Sequence, residues 1–284
     1  MNPAVPHSSL SSAIDLSAYA RRLGLPATVL QQAPSLSLLQ LLHRRQPEAI
    51  PFENLTPLLG QPVPLAAAEL GAKLLAQPRG GYCFELNHLF LQVLQQLGFQ
   101  ARGLAARVRW NVPAGGMLPR THMLILIELD GESWLADVGF GGLSLTAPLR
   151  LVPDAEQQTP HNRCRLLAVA EGYLLQVWLE DGWQPLYAFD LQVQQGIDFE
   201  MMNWFVATHP GSRFTTQLVA ARVEGECRHA LGNTRYSCHR PEGSDKRQLR
   251  DVDEVLTVLH DVFGIAVGEL PGLRQRLEAV LDFG

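Results

Sequence analysis

The sequence predicts an α+β protein, with helices first, an antiparallel sheet in the middle and helices again at the end. Three observations carry this. Apolar residues recur at three- and four-residue steps through 13–97, alternation and β-branched residues take over from Ala101, and amphipathic runs return at 247–263 and 270–281. The strand-like runs follow one another through turn signals with no helix between them, so the sheet is expected to be antiparallel and to curl toward a barrel.

In chain order, Asp15 can cap a helix carrying Leu16, Tyr19, Ala20 and Leu23, stopped by Gly24 and Pro26. Ser35 can cap the next, which carries Leu36, Leu38, Leu39, Leu41 and Leu42 before Pro47 and Pro51 break the chain. Phe52-Glu53-Asn54-Leu55 reads as a short buried connector, and a third helix is expected over 66–75. Arg79-Gly80-Gly81-Tyr82-Cys83-Phe84-Glu85-Leu86-Asn87 is a glycine-loosened turn running into a helix. Its apolar positions Leu86, Leu89, Phe90, Val93, Leu94 and Leu97 end at Gly98, the residue that stops it. Strands are expected over 104–110, 122–129, 134–138, 163–170, 173–179 and 183–189, with Asp130-Gly131, Glu171-Gly172 and Asp181-Gly182 as turns. Residues 151–162 read as an exposed loop.

A chain of 284 residues, 46% hydrophobic and 18% charged, is long enough for two or three domains and a large core. Its net charge of −5 gives no footprint for nucleic acid or an anionic membrane. No apolar run reaches the length of a bilayer span and Met1 to Ser12 lack a secretory pattern, so a cytoplasmic location is expected. Cysteines at 83, 164, 227 and 238 are sparse, which suits reduced thiols better than a disulfide framework. Cys227-Arg228-His229 and Cys238-His239 show neither C-x-x-C nor paired-histidine spacing, so no metal is expected.

Cys83 falls in the first turn of its helix, where free backbone N–H groups and the helix dipole favour an anion and lower a thiol's pKa. Alone it reads more readily as a buried structural cysteine. Partners appear downstream. With a two-residue loop at Asp130-Gly131, Leu129 faces Glu132, Leu124 faces Asp137, and His122 lies one diagonal step away on the same sheet face. An odd loop or a bulge puts His122 and Asp137 on opposite faces. Singly, His122 reads as a sheet histidine and Asp137 as a strand-end turn residue. Together they have a reason: a carboxylate between Ala136 and Val138 is costly to bury without a partner. An imidazole oriented by that carboxylate can deprotonate a thiol, giving a Cys/His/Asp set in that chain order.

The run 79–87, His122-Met123, Asp137-Val138-Gly139-Phe140-Gly141, Ile50-Pro51-Phe52-Glu53-Asn54-Leu55 and Thr208-His209-Pro210 together resemble the signatures of the arylamine N-acetyltransferase family, in order and spacing, over about the first three-quarters of the chain. The resemblance implies a helical domain (1–98) carrying Cys83, a β-barrel domain (99–200) carrying His122 and Asp137, and an α/β lid (201–284), with the three residues arranged as in cysteine proteases. It implies ping-pong transfer of acetyl from acetyl-coenzyme A to arylamines and arylhydrazines through an acetyl-cysteine. Cys83 is then the nucleophile, His122 the base and Asp137 the orienting carboxylate. It places Phe52 and Val108 against the acceptor, although each also reads as plain core. Phe140 joins them, with Phe205 or Phe214 at the entrance of the site. Gly139 and Gly141 leave room for a pantetheine arm or acyl group beside Asp137, or else form an ordinary loop; a Walker phosphate loop is excluded because Lys-Ser/Thr is missing. Gly141, Thr208 and His209 are the expected coenzyme contacts. The expected partners are small molecules, neither nucleic acid nor membrane, and the expected assembly is a monomer or homodimer. The rival functions are other acyl chemistry on the same residues, as an amide synthase or thiol amidohydrolase, and a binding module for an aromatic ligand or coenzyme.

Overall fold

Asp15 and Ser35 do what their positions predict: Asp15 Oδ1 accepts from Ala18 N at 3.0 Å and Ser35 Oγ from Leu38 N at 3.3 Å. They open α1 (Leu16–Arg22) and α2 (Leu36–Ala49). The computed structural model describes residues 13–113, 116–180 and 182–283, so Met1 to Ser12 and Asp181 of the expected Asp181-Gly182 turn lie outside the described residues. Pro47 does not break α2; it lies inside the helix, which ends at Ala49. The chain continues through β1 (Phe52–Glu53), α3 (Leu55–Leu58) and α4 (Ala67–Leu70) to α5 (Cys83–Gln96). The helix expected over 66–75 is α4 followed directly by one π-helical turn, Gly71–Leu75.

Eight strands then form one antiparallel sheet: β2 (Gln100–Val108), β3 (His122–Leu129), β4 (Glu132–Ala136), β5 (Leu149–Arg150), β6 (Glu156–Gln158), β7 (Arg163–Val169), β8 (Gly172–Leu179) and β9 (Gly182–Phe189). Their order, β5-β4-β3-β2-β9-β8-β7-β6, makes a nearly closed barrel. Its two edge strands meet through one side chain. Arg150 N donates to Gln157 Oε1 at 2.8 Å, and Gln157 Nε2 donates back to Arg150 O at 2.9 Å. The expected exposed loop at 151–162 therefore contains the barrel's last strand. Leu104, Leu124, Leu135, Leu166, Leu175 and Tyr187 belong to one buried cluster of the sheet, while Ala105, Met123, Ile125 and Ile127 join the core shared with α2 and α5.

The rest of the chain is α6 (Gly196–Thr208), four strands, β10 (Val219–Glu224), β11 (Cys227–Gly232), β12 (Arg235–Arg240) and β13 (Gly243–Gln248), then α7 (Val252–Asp261) and α8 (Leu273–Val280). β1 joins these strands in the order β1-β10-β11-β12-β13, with Phe52 opposite Ala221. The helix expected from 247 starts instead at Val252, capped by Asp251, because Arg247 and Gln248 still lie on β13. Every residue of β13 is exposed, so it shows no apolar alternation that sequence could reveal. Cys227 and Cys238 correct the expectation of four free thiols: antiparallel pairing of β11 with β12 sets their Cα atoms 5.9 Å apart and they are joined as a disulfide, leaving Cys83 and Cys164 free and buried.

β1 also fixes the turn that leads into α5. Glu53 N donates to Gly81 O at 2.9 Å, and a Cβ at Gly80 would fall 2.0 Å from Pro51 O, so only glycine fits there. Below this contact the fully buried Glu53 carboxylate accepts from Arg79 Nη2 at 2.7 Å and Nε at 3.0 Å, and from Leu55 N at 2.6 Å. Arg79→Ala strands that carboxylate in the interior, and a loss of about 3–5 kcal/mol is expected. Urea denaturation measures it; a midpoint equal to the parent's would show that the pair does not hold this turn.

Candidate active site

The geometry at Asp137 follows from the hairpin. Asp130 and Gly131 both take positive φ, 52° and 79°, as a two-residue turn between β3 and β4 requires. Leu129 therefore pairs with Glu132 and Ile125 with Ala136. One further step in this register brings Asp137 opposite Leu124 and diagonal to His122. The two side chains meet: His122 Nε2 is 2.7 Å from Asp137 Oδ2.

Neither residue is accessible, His122 being 2% exposed and Asp137 0%, so each polar atom must be satisfied from within. Asp137 Oδ1 accepts from Asn87 Nδ2 at 2.9 Å and from Gly139 N at 3.0 Å. Asn87 also donates to Met123 O at 2.7 Å and accepts from Val138 N at 3.0 Å, so one amide of α5 grips both strands that carry the pair. Asp137 N in turn donates to His43 Nε2 on α2, at 3.1 Å. Burial pushes the Asp137 carboxyl up, but the facing His122, with the hydrogen bonds from His122, Asn87 and Gly139, holds it below the ordinary range.

Cys83 opens α5, with Glu85 Oε2 accepting from Tyr82 N at 3.1 Å in the same turn. Its thiol lies 3.6 Å from the carbonyl of Thr121, the residue before His122, which brings cysteine and histidine to neighbouring backbone. The helix start does not lower this thiol as expected from sequence. Burial and the negative charge of Asp137 push it well above the ordinary range, against a smaller opposite pull from the Phe84 and Met123 backbone N–H groups.

Aromatic rings pack around these residues. His122 lies 4.9 Å from the rings of both Phe140 and Tyr187, centroid to centroid, and Val108 pairs with Tyr187 across β2 and β9. Phe52 and Tyr82 each contact the Phe214 ring, at 6.0 and 5.5 Å. Phe205 instead stacks on His209 at 4.4 Å, and Thr208 Oγ1 bonds Trp204 O at 2.6 Å, so both expected coenzyme contacts turn back onto α6. Gly139 packs against the Cys83 backbone, since a Cβ there would fall 3.0 Å from Cys83 Cα; a Cβ at Gly141 would lie 3.8 Å from the Phe52 ring. A narrow cleft beside them is lined by Phe52, Val138, Gly141, Arg222 and Arg228, among others. Asn87, His43 and Tyr187 were not singled out from sequence. Asn87 carries a signal in hindsight, because it follows Cys83 by one helical turn and so shares its face; His43, on a helix far along the chain, carries none.

An N-acetyltransferase family model matches residues 35–270. The arylamine N-acetyltransferase of Mycobacterium tuberculosis is 40% identical over 274 residues, covering 95% of each chain. The arylamine N-acetyltransferase / N-hydroxyarylamine O-acetyltransferase of Salmonella typhimurium is 41% identical over 247 residues, covering 84% of this chain and 85% of its own. The structure of Mycobacterium marinum arylamine N-acetyltransferase in complex with CoA superposes with a TM-score of 0.90 at 40% identity, covering 94% of this chain and 100% of its own. These similarities define the protein as an acyltransferase. The chain belongs to the arylamine N-acetyltransferase family. Among the described residues no helix is long and apolar enough to cross a membrane.

Two histidines, the buried His43 and the partly buried His88, set a pH limit on this architecture. Burial lowers His43 to about 4, against an upward pull from Asp137, and burial lowers His88 to about 4. Each is depressed in the fold, so its contribution is complete above the unfolded value and is lost as pH falls. From about pH 6.5 to about pH 4 the loss is on the order of 3 kcal/mol for each histidine. Thermal melts across that window should fall steadily, and His88→Leu should flatten the slope. A melting temperature independent of pH over this range contradicts the assignment.

Proposed function

We propose that the protein transfers acetyl from acetyl-coenzyme A to arylamines and arylhydrazines by a ping-pong route through acetyl-Cys83, with His122 as base and Asp137 as orienting carboxylate. The observation that carries it is the buried His122–Asp137 bond with the Cys83 thiol beside Thr121. The relative solved with CoA supports the donor, and the relatives' names support the acceptor. Residues 1–98 supply the nucleophile, 99–200 the base and its carboxylate, and 201–284 the lid. The enzyme acts in the cytoplasm, where acetyl-coenzyme A meets a reduced thiol, as a monomer or homodimer.

With Asp137 facing Nε2, the imidazole keeps its proton there and offers Nδ1 as the acceptor. The raised thiol fits this route: the proton leaves Sγ for His122 only as sulfur attacks the thioester carbonyl, so the charged pair exists within a buried site that already holds a carboxylate. The tetrahedral oxyanion takes the backbone N–H of Cys83 at the helix start. The carbon–sulfur bond to coenzyme A then breaks, and its thiolate takes the proton from His122. In the second half the amine attacks acetyl-Cys83, His122 removes an amine proton, and the Cys83 sulfur leaves and is reprotonated. Phe52, Val108, Phe140, and Phe214 or Phe205 line the acceptor side and keep water from the acetyl group. Gly139 and Gly141 give the pantetheine arm passage to Cys83, and Thr208 and His209 meet the coenzyme once it is bound.

Mass spectrometry after brief exposure to acetyl-coenzyme A without acceptor should find one acetyl group, on Cys83. Cys83→Ala should abolish loading and turnover while its circular dichroism stays that of the parent; an acetylated Cys83→Ala protein contradicts the assignment. Coenzyme A release without acceptor should be slow and should rise manyfold with an arylhydrazine, giving parallel double-reciprocal plots. Phe52→Ala and Val108→Ala should shift acceptor preference more than the loading rate. A release rate already maximal without acceptor means a hydrolase.

A further inference from the structure

Cys227, His229 and Cys238 take no part in the acetyl chemistry, and the fold brings them together. Positions 227 and 229 share one face of β11 by strand parity, and His229 is paired directly with Cys238 on β12. All three are buried, and their ligand atoms lie within 4.8 Å of one another. The spacing rule that excludes a metal in the sequence concerns ligands on one local turn; it is silent about ligands gathered across a hairpin.

We propose that, when the Cys227–Cys238 disulfide is reduced, Cys227, Cys238 and the Nδ1 atom of His229 bind a thiophilic divalent cation of the zinc type. Zinc bonds of about 2.3 Å to sulfur and about 2.0 Å to nitrogen, at tetrahedral angles, put sulfur and nitrogen about 3.5 Å apart. Cys227 Sγ and His229 Nδ1 are 3.6 Å apart. The other face of the imidazole is arranged as a metal-bound histidine requires. Nε2 is buried, has no hydrogen-bond partner among the described residues, and lies 3.4 Å from the Glu224 carboxylate, whose side chain is 67% exposed and free to close onto it. The Tyr236 hydroxyl, 2.8 Å from Nδ1, occupies the approach and must swing aside or become the fourth donor. The balance is simple. A thiol reductant delivers two electrons and two protons to the disulfide and is itself oxidised to a disulfide; the cation then displaces the two thiol protons and binds two thiolates.

The test uses the full chain carrying Cys83→Ala, so that the buried nucleophile cannot contribute a ligand. After reduction by a thiol and anaerobic removal of the reductant, titration with Co2+ should give the thiolate-to-metal charge-transfer band and visible bands of a tetrahedral site. Zn2+ should displace it with one ion per chain. The same chain with its disulfide intact should bind neither ion at that site. Cys227→Ser and Cys238→Ser should remove the band, and His229→Ala should weaken Zn2+ at least 10-fold. Absence of the band in reduced protein of native circular dichroism overturns the proposal, as does a band that survives either serine variant. The comparison of reduced with oxidised protein needs no variant at the site, so it decides the matter even if a serine variant fails to fold.

Discussion

The structure depends on one buried negative charge. Asp137 is 0% exposed on an apolar strand, and a carboxylate there persists only if every lone pair finds a donor. Those donors come from β3, from α5 and from the turn after β4, through His122, Asn87 and Gly139. The backbone of the same residue donates to His43 on α2. Removing any of these elements leaves a polar group unpaired, so the helical layer and the barrel are locked by the same bonds that orient the imidazole. Stability and the candidate chemistry share one network, and the buried His43 that completes it gives it an acid limit.

What could be read from the sequence was whatever is decided locally. Asp15 and Ser35 announce helix starts because capping is a bond across three residues. Asp130-Gly131 announces the hairpin because only such residues accept its backbone, and the register then follows arithmetically, carrying His122 toward Asp137. Nonlocal decisions were hidden. β1 has two residues, and its strand character comes from pairing with Ala220 and Ala221, more than 150 residues away, and from its bridge to Gly81. β13 offers no apolar face to read, and Cys227 meets Cys238 only once β11 and β12 are paired. The thiol's environment was misread for the same reason. The helix start is local, but the burial and the Asp137 charge that outweigh it arrive from elsewhere in the chain.

That inversion bears on how a nucleophile is kept. A thiolate standing free at a helix start is open to alkylation and to oxidation beyond the sulfenic state. Cys83 is 4% exposed, and burial together with the Asp137 charge pushes its thiol above the ordinary range.

β1 explains why the strands after α6 and the chemistry at α5 belong to one unit. In two residues of opposite facing it carries a ring and a carboxylate. The Phe52 ring reaches Phe214 and the Gly141 backbone on the cleft side, and the Glu53 carboxylate is closed by Arg79 beneath the turn that presents Cys83. Its backbone meanwhile bonds Gly81 on one edge and pairs with β10 on the other. A displacement of β10 is therefore passed through β1 to the turn that presents Cys83. The constraint also runs backward: the close approach of Gly80 to Pro51 leaves no room for the turn to move toward β1. The place of Cys83 is thus tied to a sheet whose remaining strands lie far along the chain.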